Sequence, residues 1–290
     1  MSSALSAISR MSRVFPFAQD WKRQVKAQVI VECVFQDLDL FVPNSRGASA
    51  MLAEHGLISA RRTFPLLADL AARISPGTAV MQTAEEFCAS ERGRRNAERL
   101  KRLFDEHGSD KGSMNGYHPV YGELFARFPD TAKVRHLLEI GIGTPNVTLV
   151  SHMGEDGKPG ASLRAFRDFL PDAQVRGADI DRAILFQEDR ITTHFVDQRD
   201  LGSFAELRSL GAEAPYDIVI DDGLHAPDAN IGAILFALDV LAPNGWLVVE
   251  DLKESALPAF QVIRAVLEHA YDTNLIKAGS GYLLLATRRN

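Results

Sequence analysis

The chain has 290 residues, of which 46% are hydrophobic and 24% charged, and its formal net charge is -6. At about 100 to 200 residues per domain, this length predicts one large or two modest domains with a real hydrophobic core, which excludes a disordered chain. The negative charge argues against a nucleic-acid partner. No stretch approaches the roughly 18 uninterrupted apolar residues of a transmembrane helix, so we expect no membrane partner.

The cysteines and the first residues of the chain give evidence on the cellular compartment of the protein. Cys33 and Cys88 do not have the spacing of metal ligands, which indicates buried thiols in a reducing compartment. The start, MSSALSAISRMSRVF, has the serines and arginines of a transit peptide but not the apolar core of a signal peptide, and we do not interpret it as a targeting segment. A cytoplasmic protein is expected.

The first third of the chain reads as mainly helical. RGASAMLAEHGLISA and TFPLLADLAARI predict two short helices, whereas the type of DWKRQVKAQVIVECVFQDLDLF is open. A longer helix is predicted over TAEEFCASERGRRNAERLKRLFDEHG, with Thr83 as N-cap and Gly108 at its end. We place the domain boundary so that residues 1–95 form this helical region and residues 96–290 the second domain.

From residue 134 onward, short apolar runs alternate with helical patterns. The predicted strands are VRHLLEIGIG, AQVRGADI, RITTHFVD, YDIVIDD, GWLVVED and GYLLLATRR. The predicted helices are ASLRAFRDFL, LGSFAELRSL, DANIGAILFALDVL and ALPAFQVIRAVLEHAY. This alternation predicts an α/β domain with a mainly parallel sheet covered on both faces, in which ligands bind beyond the carboxyl ends of the strands.

The first three strand ends carry groups that suit a nucleoside. Glu139 is followed by Gly141 and Gly143, which would let the backbone approach a ligand closely. The third glycine of a dinucleotide fingerprint is replaced by Asn146, which disfavours a nicotinamide cofactor. Asp179 ends the second strand and suits ribose hydroxyls. Asp197 and Gln198 end the third and suit a base edge, although each acid is as readily a helix N-cap.

The next two strands end in paired acids. IVIDDGLH supplies Asp222, and VVED supplies Glu250 and Asp251. Because consecutive crossover-linked strands are usually neighbours, these carboxylates are expected to converge, and an all-oxygen set suits Mg²⁺. The alternative is that they cap the following helices. His225, across a glycine from Asp222, is a candidate general base, and Asp221 is expected to face a cap or a supporting contact.

At residues 104 to 286 the chain resembles class I S-adenosylmethionine-dependent methyltransferases, and within them the metal-dependent macrolide-sugar O-methyltransferases of the mycinamicin type. The motifs that carry the resemblance are GSDKGS, YHPVYGELF, LLEIGIG, PGASLRAFRDFLP, GADID, DQRD, DDGLH and VVED. The resemblance implies a Rossmann-like, seven-stranded methyltransferase sheet with an N-terminal mainly helical domain that serves as an auxiliary or oligomerisation region.

The same resemblance implies a role for each candidate residue. The S-adenosylmethionine pocket would comprise Ser109, Lys111, Tyr121, Glu139, Gly141, Gly143, Asp179, Asp197 and Gln198. Asp222, Glu250 and Asp251 would hold Mg²⁺, and His225 would act as base. Leu224 departs from the pattern, since the resembling enzymes usually carry a small polar residue there, and the loop TPNVTLVSHMGEDG is also atypical.

Together these observations predict a Mg²⁺-dependent O-methyltransferase. The expected acceptor is a hydroxyl of a small molecule, a sugar or natural product, and we expect a homo-oligomer. The alternatives are a catechol, phenol or carboxylate O-methyltransferase, and a non-catalytic nucleotide-binding protein of the same fold.

Overall fold

A computed structural model describes the backbone of residues 17–289 and the side chains of residues 26–289. The serine- and arginine-containing start that we did not interpret as a targeting segment lies outside the described residues. The chain divides into two compact units, Met1–Leu70 and Ala71–Asn290. This division lies upstream of the predicted boundary at residue 95, because the segment after residue 71 contributes a strand and two helices to the second unit.

The first unit is helical. α1 (Phe17–Asp37) resolves the open assignment in favour of a helix, and a short 3-10 turn (Asp39–Phe41) follows it. Cys33 on this helix is exposed, so the prediction of two buried thiols is correct only for Cys88. α2 (Ser49–Ile74) begins in this unit and is one continuous helix where the sequence predicted two. Pro65 lies inside it, because one proline removes a single backbone hydrogen bond while the surrounding leucines and alanines favour the helix.

The second unit is a mixed α/β structure. Its helices are α3 (Ala84–Phe87), α4 (Glu91–His107), α5 (His118–Ala126), α6 (Ala161–Phe169), α7 (Ala205–Glu213), α8 (Pro227–Val240) and α9 (Leu257–Leu267). Its strands are β1 (Gln82–Thr83), β2 (His136–Ile140), β3 (Gln174–Asp179), β4 (Gln187–Glu188), β5 (Ile191–Phe195), β6 (Tyr216–Asp221), β7 (Leu241–Leu252), β8 (Tyr271–Ala278) and β9 (Gly281–Arg288).

The strands form one sheet in the order β1-β8-β9-β7-β6-β2-β3-β5-β4. β7, β6, β2, β3 and β5 run parallel, as predicted, whereas β9 is antiparallel to both β7 and β8. The sequence patterns predicted six strands and the resemblance implied seven, whereas the described residues form nine. The three that the patterns missed are β8 and the two-residue edge strands β1 and β4. The parallel order places the carboxyl ends of β2, β3, β5, β6 and β7 at one edge.

The predicted long helix over residues 83–108 is two helices. Thr83 does cap the first, in a capping box with Glu86, and Gly108 ends the second with a φ of 81°. Ser90 interrupts them because its hydroxyl accepts from the Gly93 N–H at 2.8 Å and starts a new helix.

Apolar side chains cover both faces of the sheet. One cluster packs α4, α5 and α6 against it and includes Phe104, Tyr121 and Phe166, whereas the other packs α7, α8 and α9 and includes Phe204, Phe236 and Phe260. Within the described residues, no helix is long and apolar enough to span a membrane.

Candidate active site

A cavity of about 940 Å³ opens at the carboxyl ends of the parallel strands. Each of these strand ends contributes to its wall. The lining includes Gly141, Asp179, Asp197, Asp222 and Asp251. The strand-end residues that the sequence singled out therefore meet around one space, as a parallel sheet with crossover helices requires.

The glycine turn after β2 is held against two neighbouring strand ends. Gly141 and Gly143 have φ angles of 87° and 84°, and a Cβ on Gly141 would overlap the backbone of Asp222. Asp179 accepts from the Ile142 N–H at 3.0 Å and from the Asp181 N–H at 2.9 Å. Burial raises the pKa of the Asp179 carboxyl. These contacts fix the turn while leaving Asp179 in the cavity wall.

Asp197 and Gln198 also line the cavity, but the Gln198 amide is already engaged. Its Nε2 donates to Asp221 at 2.6 Å and its Oε1 accepts from the Leu224 N–H at 2.7 Å.

Asn230 donates to the second oxygen of Asp221 at 2.8 Å, and burial raises the pKa of this acid to about 6. Asp221 therefore supports the loop that carries Asp222 and His225. Leu224 lies in the cavity wall.

Three of the residues predicted for the cofactor pocket lie behind its wall. Lys111, Tyr121 and Glu139 are fully buried and do not line the cavity, whereas Ser109 does. The Lys111 ammonium lies 3.1 Å from Glu139 and 2.5 Å from Asp222 and also pairs with Glu250. Although burial opposes its charge, these three acids raise the pKa of Lys111 well above its ordinary value.

The carboxylates around Lys111 are held by further donors. Tyr121 donates to Glu250, and Ser162 donates to Glu139 at 2.6 Å. Burial raises the pKa of Glu139 to about 7 against the opposing effect of Lys111, and burial likewise raises the pKa of Glu250. Both oxygens of Glu250 are thus bonded within the protein. Its role as a metal ligand stays a prediction.

Asp222, His225 and Asp251 bring their ligand atoms within 4.8 Å of one another at the cavity. His225 Nε2 lies 3.8 Å from Asp251 Oδ2 and 4.0 Å from Asp222 Oδ1, beyond hydrogen-bond distance. Two carboxylate oxygens, both partly open to the cavity, fit a hard divalent cation such as Mg²⁺, and the imidazole beside them is placed to take a proton. This cluster contains two of the three acids that the sequence predicted as Mg²⁺ ligands, Asp222 and Asp251, whereas Glu250 lies outside it and His225 lies within it.

The backbone at this cluster is strained. His225 and Asp251 have φ angles of 55° and 54°, in the left-handed region. For non-glycine residues this conformation costs about 1–2 kcal/mol each, and such outliers concentrate at functional sites. The surrounding packing therefore holds both side chains in place at an energetic cost.

Comparison with known proteins adds sequence relatives and a fold. No protein-family model matches the chain. It is 35% identical over 182 residues to 8-demethyl-8-alpha-L-rhamnosyl tetracenomycin-C 2'-O-methyltransferase of Streptomyces olivaceus, a match that covers 63% of this chain and 45% of that protein. It is also 35% identical over 150 residues to mycinamicin VI 2''-O-methyltransferase of Micromonospora griseorubida, over 51% of this chain and 34% of that protein. The chain thus spans less than half the length of these curated relatives.

Among solved structures, the chain is similar to the MycE methyltransferase of the mycinamycin biosynthetic pathway in complex with Mg and SAH. The TM-score is 0.52 at 22% identity, covering 66% of this chain and 54% of that one. The fold is that of the class I methyltransferases. The sequence relatives are O-methyltransferases, which confirms the resemblance seen in the motifs.

In this methyltransferase fold, two further residues of the motifs quoted above take positions at the site. Asp110 lines the cavity and accepts from Asn115 at 3.0 Å, although it lay within the quoted GSDKGS motif. Tyr117, 2% exposed, donates its hydroxyl to Asp251. Burial, and then the charge of Asp251, raise the pKa of the Tyr117 phenol, so it remains a donor. Tyr117 is the first residue of the quoted YHPVYGELF motif, but no periodicity or spacing distinguished it from the other residues of that motif.

Proposed function

We propose that the protein is an S-adenosylmethionine-dependent O-methyltransferase that acts on a hydroxyl of a sugar-bearing natural product, with a divalent metal and His225 as general base. The observation that carries the proposal is the cluster of Asp222, His225 and Asp251 in the same cavity wall as Gly141 and Asp179. The names of its sequence relatives point to sugar hydroxyls as acceptors.

The cofactor would lie along the ends of β2, β3 and β5. S-adenosylmethionine, when bound, supplies a methyl group on a sulfonium that is already a good leaving group. Asp179 would accept from the ribose hydroxyls, and the glycine turn would let the backbone approach the methionine portion. Ile180 and Val196, which line the cavity, offer apolar surface to the adenine ring. Asp197, predicted for the adenine, lies beside them in the wall.

The acceptor would lie at the acid and histidine cluster. Asp222 and Asp251 would hold Mg²⁺, which would stabilise negative charge on an acceptor oxygen. His225 Nε2 would take the hydroxyl proton while the acceptor oxygen forms its bond to the methyl carbon and the bond from that carbon to sulfur breaks. Holding both reactants in line is the main contribution of the cavity walls.

The test is methyl transfer by the full chain to a panel of glycosylated polyketides and phenols, with Mg²⁺ or with EDTA. His225→Gln should lose turnover but keep its affinity for S-adenosylhomocysteine, measured by calorimetry. His269→Gln, at an exposed position away from the cavity, is the matched control. Equal turnover in His225→Gln would refute the base assignment, and full activity in EDTA would refute the metal. A wild-type protein that neither binds the cofactor product nor methylates any acceptor would refute the proposal.

We further propose that the protein forms a homo-oligomer, that residues 1–95 contribute to its assembly, and that the protein is cytoplasmic. Light scattering of the full chain and of a chain that lacks residues 1–70 would test the first two. A monomeric full-length protein would contradict them.

A further inference from the structure

One short segment supplies a hydrogen-bond donor to each of the three acids predicted to hold metal. We call Lys111–Tyr121 the donor segment. Lys111 pairs with Asp222 and Glu250, Tyr117 donates to Asp251, and Tyr121 donates to Glu250. Asp222 follows β6, and Glu250 and Asp251 lie at the end of β7, so the donor segment bonds to acids from two neighbouring strand ends.

The carboxylate of Asp251 is oriented by Tyr117. The pairing of β7 with β9 shifts register between Val249 and Leu252, so Asp251 lies outside the regular ladder. Asp251 sits in that irregularity with a left-handed backbone. Its Oδ1 accepts from Tyr117, and its Oδ2 faces His225 at 3.8 Å. The phenol therefore determines which oxygen of Asp251 faces the cluster.

The two carboxylate oxygens of Asp222 also face different partners. Its Oδ2 is held by the Lys111 ammonium at 2.5 Å, and its Oδ1 faces His225 at 4.0 Å. The Asp222 side chain is 19% exposed and that of Asp251 is 32% exposed, whereas Lys111 is 1% exposed. Each acid thus has one oxygen tied to a buried donor and the other directed to the cluster that lines the cavity.

We propose that Tyr117 and Lys111 are positioning residues that orient Asp251 and Asp222 for a divalent metal. Of the two, Tyr117 can lose its hydroxyl by substitution with phenylalanine while the ring that packs in the core is kept. The inference rests on the metal site of the proposed function. Hydrogen-bond partners that orient metal-binding side chains are typically worth about 10–100-fold in metal affinity. Neither residue touches the acceptor or the cofactor in this assignment; both act through the acids.

The experiment is a titration of the full chain with MnCl₂, followed by calorimetry, together with a titration with S-adenosylhomocysteine. Tyr117→Phe removes only the hydroxyl, and we expect it to weaken Mn²⁺ binding by about 10-fold or more. Its affinity for S-adenosylhomocysteine should stay within about twofold, because Tyr117 does not line the cavity. Tyr216→Phe is the matched control, since its buried hydroxyl donates to the Leu207 carbonyl at 3.3 Å in another part of the unit.

Each outcome separates the two proposals. Wild-type and Tyr117→Phe proteins with the same Mn²⁺ affinity would overturn this inference and leave the proposed function intact. A wild-type protein that binds no Mn²⁺ would overturn the proposed metal site and this inference with it. Loss of S-adenosylhomocysteine binding by the same factor as Mn²⁺ binding in Tyr117→Phe would identify a general packing role and overturn the positioning role.

Discussion

Removal of the Lys111 charge should be costly for folding. Lys111→Met keeps the length of the side chain but leaves Glu139, Asp222 and Glu250 without their shared cation. Breaking a buried ion pair from one side typically costs about 3–5 kcal/mol, because the remaining charge stays buried and unpaired. At about 2–4 °C per kcal/mol for a unit of this size, the melting temperature should fall by about 6–20 °C.

The matched control is Lys101→Met. Lys101 lies 3.2 Å from Asp105 in a pair whose side chains are 45% and 38% exposed, so its loss should cost at most about 1 kcal/mol. Urea unfolding followed by circular dichroism at pH 5 and pH 8 compares the two variants. In Lys111→Met the cost should be larger at pH 8, because at pH 5 the unpaired carboxylates can take up protons. Equal losses in the two variants, or a Lys111→Met cost that does not change with pH, would refute this reasoning.

Three further predictions concern the same region. Gly141→Ala should lower both stability and affinity for S-adenosylhomocysteine, because the added Cβ overlaps the Asp222 backbone and φ is 87°; thermal melts and calorimetry measure these. Asp251→Asn should weaken Mn²⁺ binding more than Glu250→Gln does, because both oxygens of Glu250 are bonded to Tyr121 and Lys111. Glu139 has a folded-state pKa of about 7 against an ordinary 4.5, so its favourable contribution is complete below pH 4.5 and is lost as pH rises through 7. The melting temperature of wild type relative to Glu139→Gln should therefore fall between pH 5 and pH 8.

The outcomes that contradict these predictions are specific. Unchanged cofactor affinity in Gly141→Ala would mean that the turn does not line the cofactor site. A larger loss of Mn²⁺ affinity in Glu250→Gln would assign Glu250 as a ligand, as the sequence resemblance implied. A wild type that gains stability over Glu139→Gln as pH rises would reverse the sign argued for Glu139.

Much of the second unit was predictable because its signals are local. Strand and helix periodicity identified the parallel core strands, and the strand ends identified Gly141, Asp179, Asp222 and Asp251 in the cavity wall. The edge strands β1 and β4 have two residues each, too few for any periodic pattern. The break at Ser90 was missed because a single serine cap interrupts an otherwise continuous helical pattern.

The sequence by itself determined the order of the elements, the glycine turn, the acids at the strand ends and the histidine three residues after Asp222. These follow from local patterns and from the geometry of parallel sheets. Only the tertiary structure decided which carboxylates share the Lys111 ammonium as a partner. Lys111 is more than a hundred residues from Glu250 in sequence, and its contact with three carboxylates depends on how α5 and the preceding loop pack over β2, β6 and β7. No spacing in a sequence records such a contact, because charge pairing in a core is set by distances between elements that are remote along the chain.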